Sequence, residues 1–173
     1  MKATLFMALS VNGFIATESG GEDFLSSENW AKFCELAREF GHFVVGRKTY
    51  EAVKKWDEDY NFDDLIGVER IVISQDRDFK LPEGYILANS PTDALAKLAG
   101  KGFKKALVAG GASINSAFIQ ANLLDEIILN LEPVFIGRGI PLFAPSDFEI
   151  KTELISVDKS QRGIITLRYN VSK

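Results

Sequence analysis

From end to end the chain alternates between short runs of consecutive apolar residues and segments whose apolar positions recur every three or four residues. Residues 4–9 form one such run, and beyond a polar loop Trp30, Phe33, Cys34 and Ala37 repeat at i, i+3, i+4 and i+7. That period predicts a helix with one buried face. Ser26 or Ser27 suits its start, Glu28 complements the dipole of its first turn, and Gly41 suits the residue just past its end. Residues 43–45 then read as a buried strand, followed by Gly46 and a second helix over about 48–54.

The rhythm returns downstream. Residues 70–74 and 85–88 are strand-like, and Ser90-Pro91-Thr92-Asp93 is a capping-box start with proline at the first helical position. Leu95 and Leu98 face inward on that helix, residues 106–109 form the next strand, and Gly110-Gly111 leads into a helix carrying Ile114, Ala117 and Phe118. After residues 127–131 and a loop holding Gly137, Gly139 and Pro141, the period drops to two. Ile150, Thr152 and Leu154 share one face of the first alternating run, and Ile165, Leu167, Tyr169 and Val171 share one face of the second, with residues 160–163 turning between them. Apolar strands separated by helices predict an α/β fold in three layers, a mixed and mostly parallel sheet with helices on both faces. The last two runs close it as an antiparallel hairpin. No repeat, low-complexity tract or linker interrupts the pattern, so a single domain over residues 1–173 is expected.

Charge narrows the choice of partner. With 20 Lys+Arg against 24 Asp+Glu, the net charge is −4. A chain of that balance has no global attraction for nucleic acid or an anionic membrane surface, so any phosphate must be held by a local site. Residues 3–17 lack a cleavage pattern for export, and residues 106–124 carry too many polar groups to cross a bilayer. The lone cysteine forms no internal disulfide, which fits a reducing, cytoplasmic setting. One His and one Cys cannot furnish a Cys/His zinc site, and no metal is expected. Cys34 reads as a core thiol and His42 as a structural residue beside a strand. Asp57, Asp59 and Asn61 imitate the start of a calcium loop, but Phe62 and Val68 stand where glycine and glutamate are needed.

Two strand-to-helix turns carry the chemistry. Val45-Gly46-Arg47-Lys48-Thr49 and Val108-Ala109-Gly110-Gly111-Ala112-Ser113 each place glycine where a helix begins. Backbone N–H groups gather there and attract anions. The first turn adds two cations and a hydroxyl, so together the pair suits a ligand with more than one phosphate, such as a dinucleotide. The alternative is that these glycines only turn the chain. Neither turn is a Walker A loop, because Arg47 separates Gly46 from Lys48, and no G-x-G-x-x-G follows a strand. With no activated nucleophile in view, the reactive group belongs to a cofactor. Nicotinamide fits, because hydride transfer asks the protein mainly for orientation, water exclusion and electrostatics.

Four segments in order carry a family resemblance: residues 7–15 (MALSVNGFI), 45–51 (VGRKTYE), 72–75 (VISQ) and 108–114 (VAGGASI). The chain resembles the dihydrofolate reductase-like superfamily, and within it the reductase domain of bacterial riboflavin biosynthesis. The resemblance implies an NADPH-dependent oxidoreductase passing hydride to a small heterocycle or a ribitylamino- or ribosylamino-pyrimidine, and by family habit a homodimer. It places Gly46, Arg47, Lys48 and Thr49 at cofactor phosphate, with Arg47 at the 2′-phosphate. Ser74 and Gln75 then meet the adenosine end, and Gly110, Gly111, Ala112, Ser113 and Ile114 hold the pyrophosphate. Ala8, Gly13 and Ile15 fall near the nicotinamide. Asn12 and Glu28 become the catalytic candidates, and Phe14, Trp30 and Phe33 face the substrate, although Trp30 and Phe33 also suit a plain core. Trp30 occupies the place of the pterin-binding acid of dihydrofolate reductases, which speaks against folate reduction. Asn12 stands where riboflavin-pathway reductases commonly carry Asp. The remaining alternatives are dihydrofolate reductase activity and a non-catalytic nucleotide-binding protein that keeps the fold.

Overall fold

The computed structural model describes residues 1–56 and 60–173. Its elements in chain order are β1 (Lys2–Ser10), β2 (Phe14–Thr17), α1 (Ser27–Phe40), β3 (His42–Gly46), α2 (Arg47–Val53), β4 (Glu69–Ile73), β5 (Tyr85–Ala88), α3 (Pro91–Gly100), β6 (Lys105–Val108), α4 (Ala112–Gln120), β7 (Glu126–Glu132), β8 (Gly139–Pro141), β9 (Thr152–Lys159) and β10 (Ile165–Val171). An eight-stranded sheet runs in the order β5-β4-β3-β6-β1-β7-β10-β9. Strands β5 through β7 in that order are parallel, while β10 is antiparallel to β7 and β9 antiparallel to β10. This is the α/β fold expected from the alternation of periods.

Local chemistry accounts for the helices. Gly41 ends α1 in the left-handed region at φ 74°, as its lack of a Cβ allows. The Ser90 hydroxyl accepts from the Asp93 amide at the start of α3. Two apolar clusters lie on opposite faces of the sheet. One joins Phe33, Phe43, Phe62 and Leu107 beneath α1, and the other joins Leu5, Val44, Leu98 and Phe118 beneath α3 and α4. Burial of this extent on both faces is why the parallel strands read as continuous apolar runs.

Two local expectations change. The polar stretch after β1 contains a strand, because β2 pairs with β8 in a separate two-stranded ribbon that the Gly/Pro-rich loop concealed. Ile150 precedes β9 rather than sharing its face, and Leu154, Ile155 and Val157 of β9 are all exposed. β9 is an edge strand and its pairing with β10 shifts register between Arg168 and Tyr169. Such a shift breaks the two-residue period on which a buried face depends. The calcium-like pattern at Asp57 and Asp59 lies outside the described residues.

Candidate functional site

The carboxyl ends of β3, β6 and β1 lie side by side, and the two glycine turns meet there. The Gly46 amide donates to the Gly110 carbonyl at 2.7 Å. A Cβ at Gly46 would sit 2.6 Å from Ile114 Cγ1, and one at Gly111 would sit 3.0 Å from Thr49 Oγ1. Gly110 has φ +86°, and its peptide bond to Gly111 is cis. Neither α2 nor α4 has a side-chain cap at its start. Apart from the Ile114 amide, which donates to the Gly111 carbonyl at 2.9 Å, the first-turn amides of both helices therefore remain available to an anion. The Gly46 amide is already spent on Gly110, so a phosphate at this turn is met by the amides that follow it.

Arg47 lies at the outer end of this floor. Its Nε donates to Glu51 at 2.8 Å, its Nη1 donates to Asp76 at 3.0 Å, and its guanidinium lies 4.2 Å from the centre of the Phe79 ring. Ser74 is buried, and its hydroxyl accepts from the Asp76 amide at 3.1 Å. Lys48, Gln75 and Ser113 are exposed around the same edge.

From this floor a cavity of about 480 Å³ opens between β1, α1 and α2. Ala8, Ile15, Thr49 and Gly111 line its glycine-turn end, and Trp30 and Phe33 line its far wall. Trp30 is the hub of an aromatic cluster, with ring centres 5.3 Å from Phe33, 6.0 Å from Trp56, 5.7 Å from Tyr60 and 5.9 Å from Phe62.

Asn12, Phe14 and Glu28 are not among the lining residues. Asn12 is committed elsewhere: its Nδ2 donates to the Ile136 carbonyl at 2.7 Å, and its Oδ1 accepts from the Ile136 amide at 3.1 Å and from the Ser10 hydroxyl at 2.9 Å. It ties the turn after β1 to the loop before β8. Glu28 points to the β9–β10 hairpin, accepting from the Ser160 hydroxyl at 3.0 Å and pairing with Arg162 at 3.5 Å. Gly13 takes φ +91° in the turn beside Asn12, where its carbonyl accepts from Leu142. Phe14 opens β2.

The polar end of the cavity was not foreseen from sequence. Glu22, Asp23, Ser26 and Asn29 line it, with Lys55 and Tyr60 across from them. Asn29 Nδ2 donates to Glu132, which also accepts from the Ser26 amide at 2.7 Å. Asn29 Oδ1 accepts from Asn130, whose own Oδ1 accepts from the Thr166 hydroxyl. Asn29, Asn130 and Glu132 are all buried, so this chain fixes the first turn of α1 against β7 and β10. Burial pushes the Glu22 carboxyl up to about 7. The one signal in the sequence was an acidic pair directly after Gly20-Gly21.

This is a dihydrofolate reductase-like fold. The chain belongs to the RibD C-terminal domain family, which matches residues 1–166. It is 29% identical over 157 residues to YwjB of Bacillus subtilis (strain 168), itself uncharacterized, covering 88% of each chain. Among solved structures it resembles a candidate riboflavin biosynthesis protein of Shewanella sp. PV-4, at TM-score 0.81 and 24% identity, covering 100% of both chains. It also resembles the dihydrofolate reductase of Enterococcus faecalis complexed with NADP(H), at TM-score 0.73 and 18% identity, covering 99% of this chain and 97% of that one. These two likenesses concern the fold.

Proposed function

We propose that the protein is an NADPH-dependent reductase, one domain over residues 1–173, acting on a small heterocycle of ribitylamino- or ribosylamino-pyrimidine type. One observation carries the reading: the Gly46–Gly110 contact brings two uncapped helix starts to one side of an aromatic-walled cavity. The cradle suits a dinucleotide, because a Cβ at Gly111 would crowd Thr49 just where backbone must approach a phosphate closely. Family membership supports reductase chemistry, and a Thermotoga maritima protein of the same fold, 56% of which this chain covers, is by name a diaminohydroxyphosphoribosylaminopyrimidine deaminase and 5-amino-6-(5-phosphoribosylamino)uracil reductase.

In this reading the amides of Arg47, Lys48 and Thr49 and of Gly111 through Ser113 hold the phosphates, with the Ile114 side chain packed against Gly46 beneath them. Arg47, Ser74 and Gln75 surround the adenosine end. Ala8, Gly13 and Ile15 flank the nicotinamide, which when bound supplies the hydride. Trp30 and Phe33 press on the substrate ring and exclude water. Asn12 and Glu28 act as positioning residues, holding the β1–β2 turn and the hairpin, with Phe14 in the ribbon behind them. The exposed apolar side chains of β9 suit a homodimer, and the buried free thiol of Cys34 suits a reducing cytoplasm.

The test is a fluorescence titration with NADPH and NADH, followed by NADPH oxidation with 5-amino-6-(ribosylamino)uracil and with dihydrofolate. Tight NADPH binding with turnover of the pyrimidine alone is expected. No NADPH binding overturns the reading. Binding without any turnover selects the second one, a non-catalytic nucleotide-binding protein.

A further inference from the structure

The proposed reduction needs a proton as well as a hydride. At the polar end of the cavity most groups that could provide one are already engaged. Asn29 and the Ser26 amide bind Glu132, and Glu132 sits behind them away from the lining. Asn12 and Glu28 hold the neighbouring loops. Glu22 differs from all of these. It lies half-buried on the cavity wall, and among the described residues no hydrogen bond or ion pair engages its carboxyl.

Resting on the reductase reading, we propose that Glu22 is the catalytic acid of this site. When the carbon of a substrate C=N bond accepts hydride, the π electrons pass to nitrogen, and nitrogen takes the proton from the Glu22 carboxyl. The carboxylate left behind regains a proton from water at the cavity mouth. A ribosylamino-pyrimidine presents such a bond when its sugar ring opens to the imine, so the product is the ribitylamine. Against the aromatic wall a planar ring is held with its exocyclic nitrogen toward the acidic end.

The electrostatic setting agrees with this role. Desolvation is what raises Glu22, to about 7, and that leaves a substantial protonated fraction at neutral pH. Among the described residues the charged and titratable groups that share the cavity with it are Asp23 on its own loop, Lys55 beyond α2 and Tyr60. Glu132 of β7 lies behind Asn29.

Two measurements test the inference, using Glu22→Gln and Glu22→Asp beside the wild type. In the cofactor-free protein, carbon NMR of the side-chain carboxyls is expected to show one titration near pH 7 that disappears in Glu22→Gln. In turnover of 5-amino-6-(ribosylamino)uracil, the wild-type rate should fall as pH rises through 7, because the acid form is consumed. Glu22→Gln should lose about 100-fold in rate, in the range of general acid catalysis, and lose that pH limb, while its NADPH affinity stays unchanged. Glu22→Asp should keep the limb. Unchanged turnover in Glu22→Gln with normal NADPH binding overturns the inference and leaves the reductase reading intact, as does a Glu22 carboxyl that titrates near 4.5. Failure of the wild type to bind NADPH or to reduce the pyrimidine ends the reductase reading and takes this inference with it.

Discussion

The two ends of the cavity are built from different materials. The glycine-turn end is backbone: two turns in contact at 2.7 Å, with the helix starts uncapped. The opposite end is side chain: the Trp30 cluster, the Asn29–Glu132 chain and Glu22, which has no partner among the described residues. Backbone geometry is set by the sheet and tolerates little change, whereas a wall of side chains is altered by single substitutions. The first end thus suits a constant ligand and the second a variable one.

The largest effect expected is at the backbone end. Gly46→Val forces a branched side chain against Ile114, where a Cβ alone already comes within 2.6 Å. Overpacking of this kind costs about 3 kcal/mol, and NADPH affinity should fall at least about 100-fold with it. Urea unfolding and a fluorescence titration measure the two. Retained affinity would break the contrast between the ends.

Glu22→Gln sharpens the contrast from the other side. The Glu22 carboxyl rises from 4.5 to about 7 on folding, so its favourable contribution is complete below pH 4.5 and is lost as pH rises through 7. The wild type should therefore lose stability relative to Glu22→Gln between pH 5 and pH 8. The gap is at most about 3 kcal/mol at 1.36 kcal/mol per unit, and partial exposure of the side chain reduces it. Paired urea melts at the two pH values decide it, and equal melts at both would place Glu22 in solvent.

Arg47→Ala should weaken NADPH by about 10- to 100-fold, the worth of a charge-assisted hydrogen bond, with NADH barely changed. Equal losses for both cofactors would remove Arg47 from the 2′-phosphate. The smallest effect belongs to Asp76→Asn. Asp76 holds one arm of the Arg47 guanidinium at 3.0 Å, and because the pair is exposed its release is worth only about 0.2–1 kcal/mol. A few-fold gain in NADPH affinity without a gain for NADH is expected, read by the same titration.

This contrast also separates what the sequence reveals from what it hides. Gly46 and Gly110 are legible because a turn between an apolar strand and a helix leaves few residues to choose from. The strands and helices follow from periods that burial imposes on both sheet faces. Glu22 leaves no such mark, since a loop acid beside two glycines reads as solvated surface until folding encloses it. Asn12 misleads for a related reason: its position after β1 suits a ligand contact, but whether its amide meets a ligand or the Ile136 backbone depends on a loop more than 120 residues away. β2 and β8 are too short to set a period, and the register shift in β9 erases one.

Because the bond joining Gly46 to Gly110 is made by main-chain atoms alone, no exchange of a neighbouring residue can delete either partner. Lineages carrying this architecture are free to redecorate the opposite chamber while keeping the same reagent on hand. On the reductase reading, divergence among its kin should accordingly surface as a change of clientele, with the hydride source held constant.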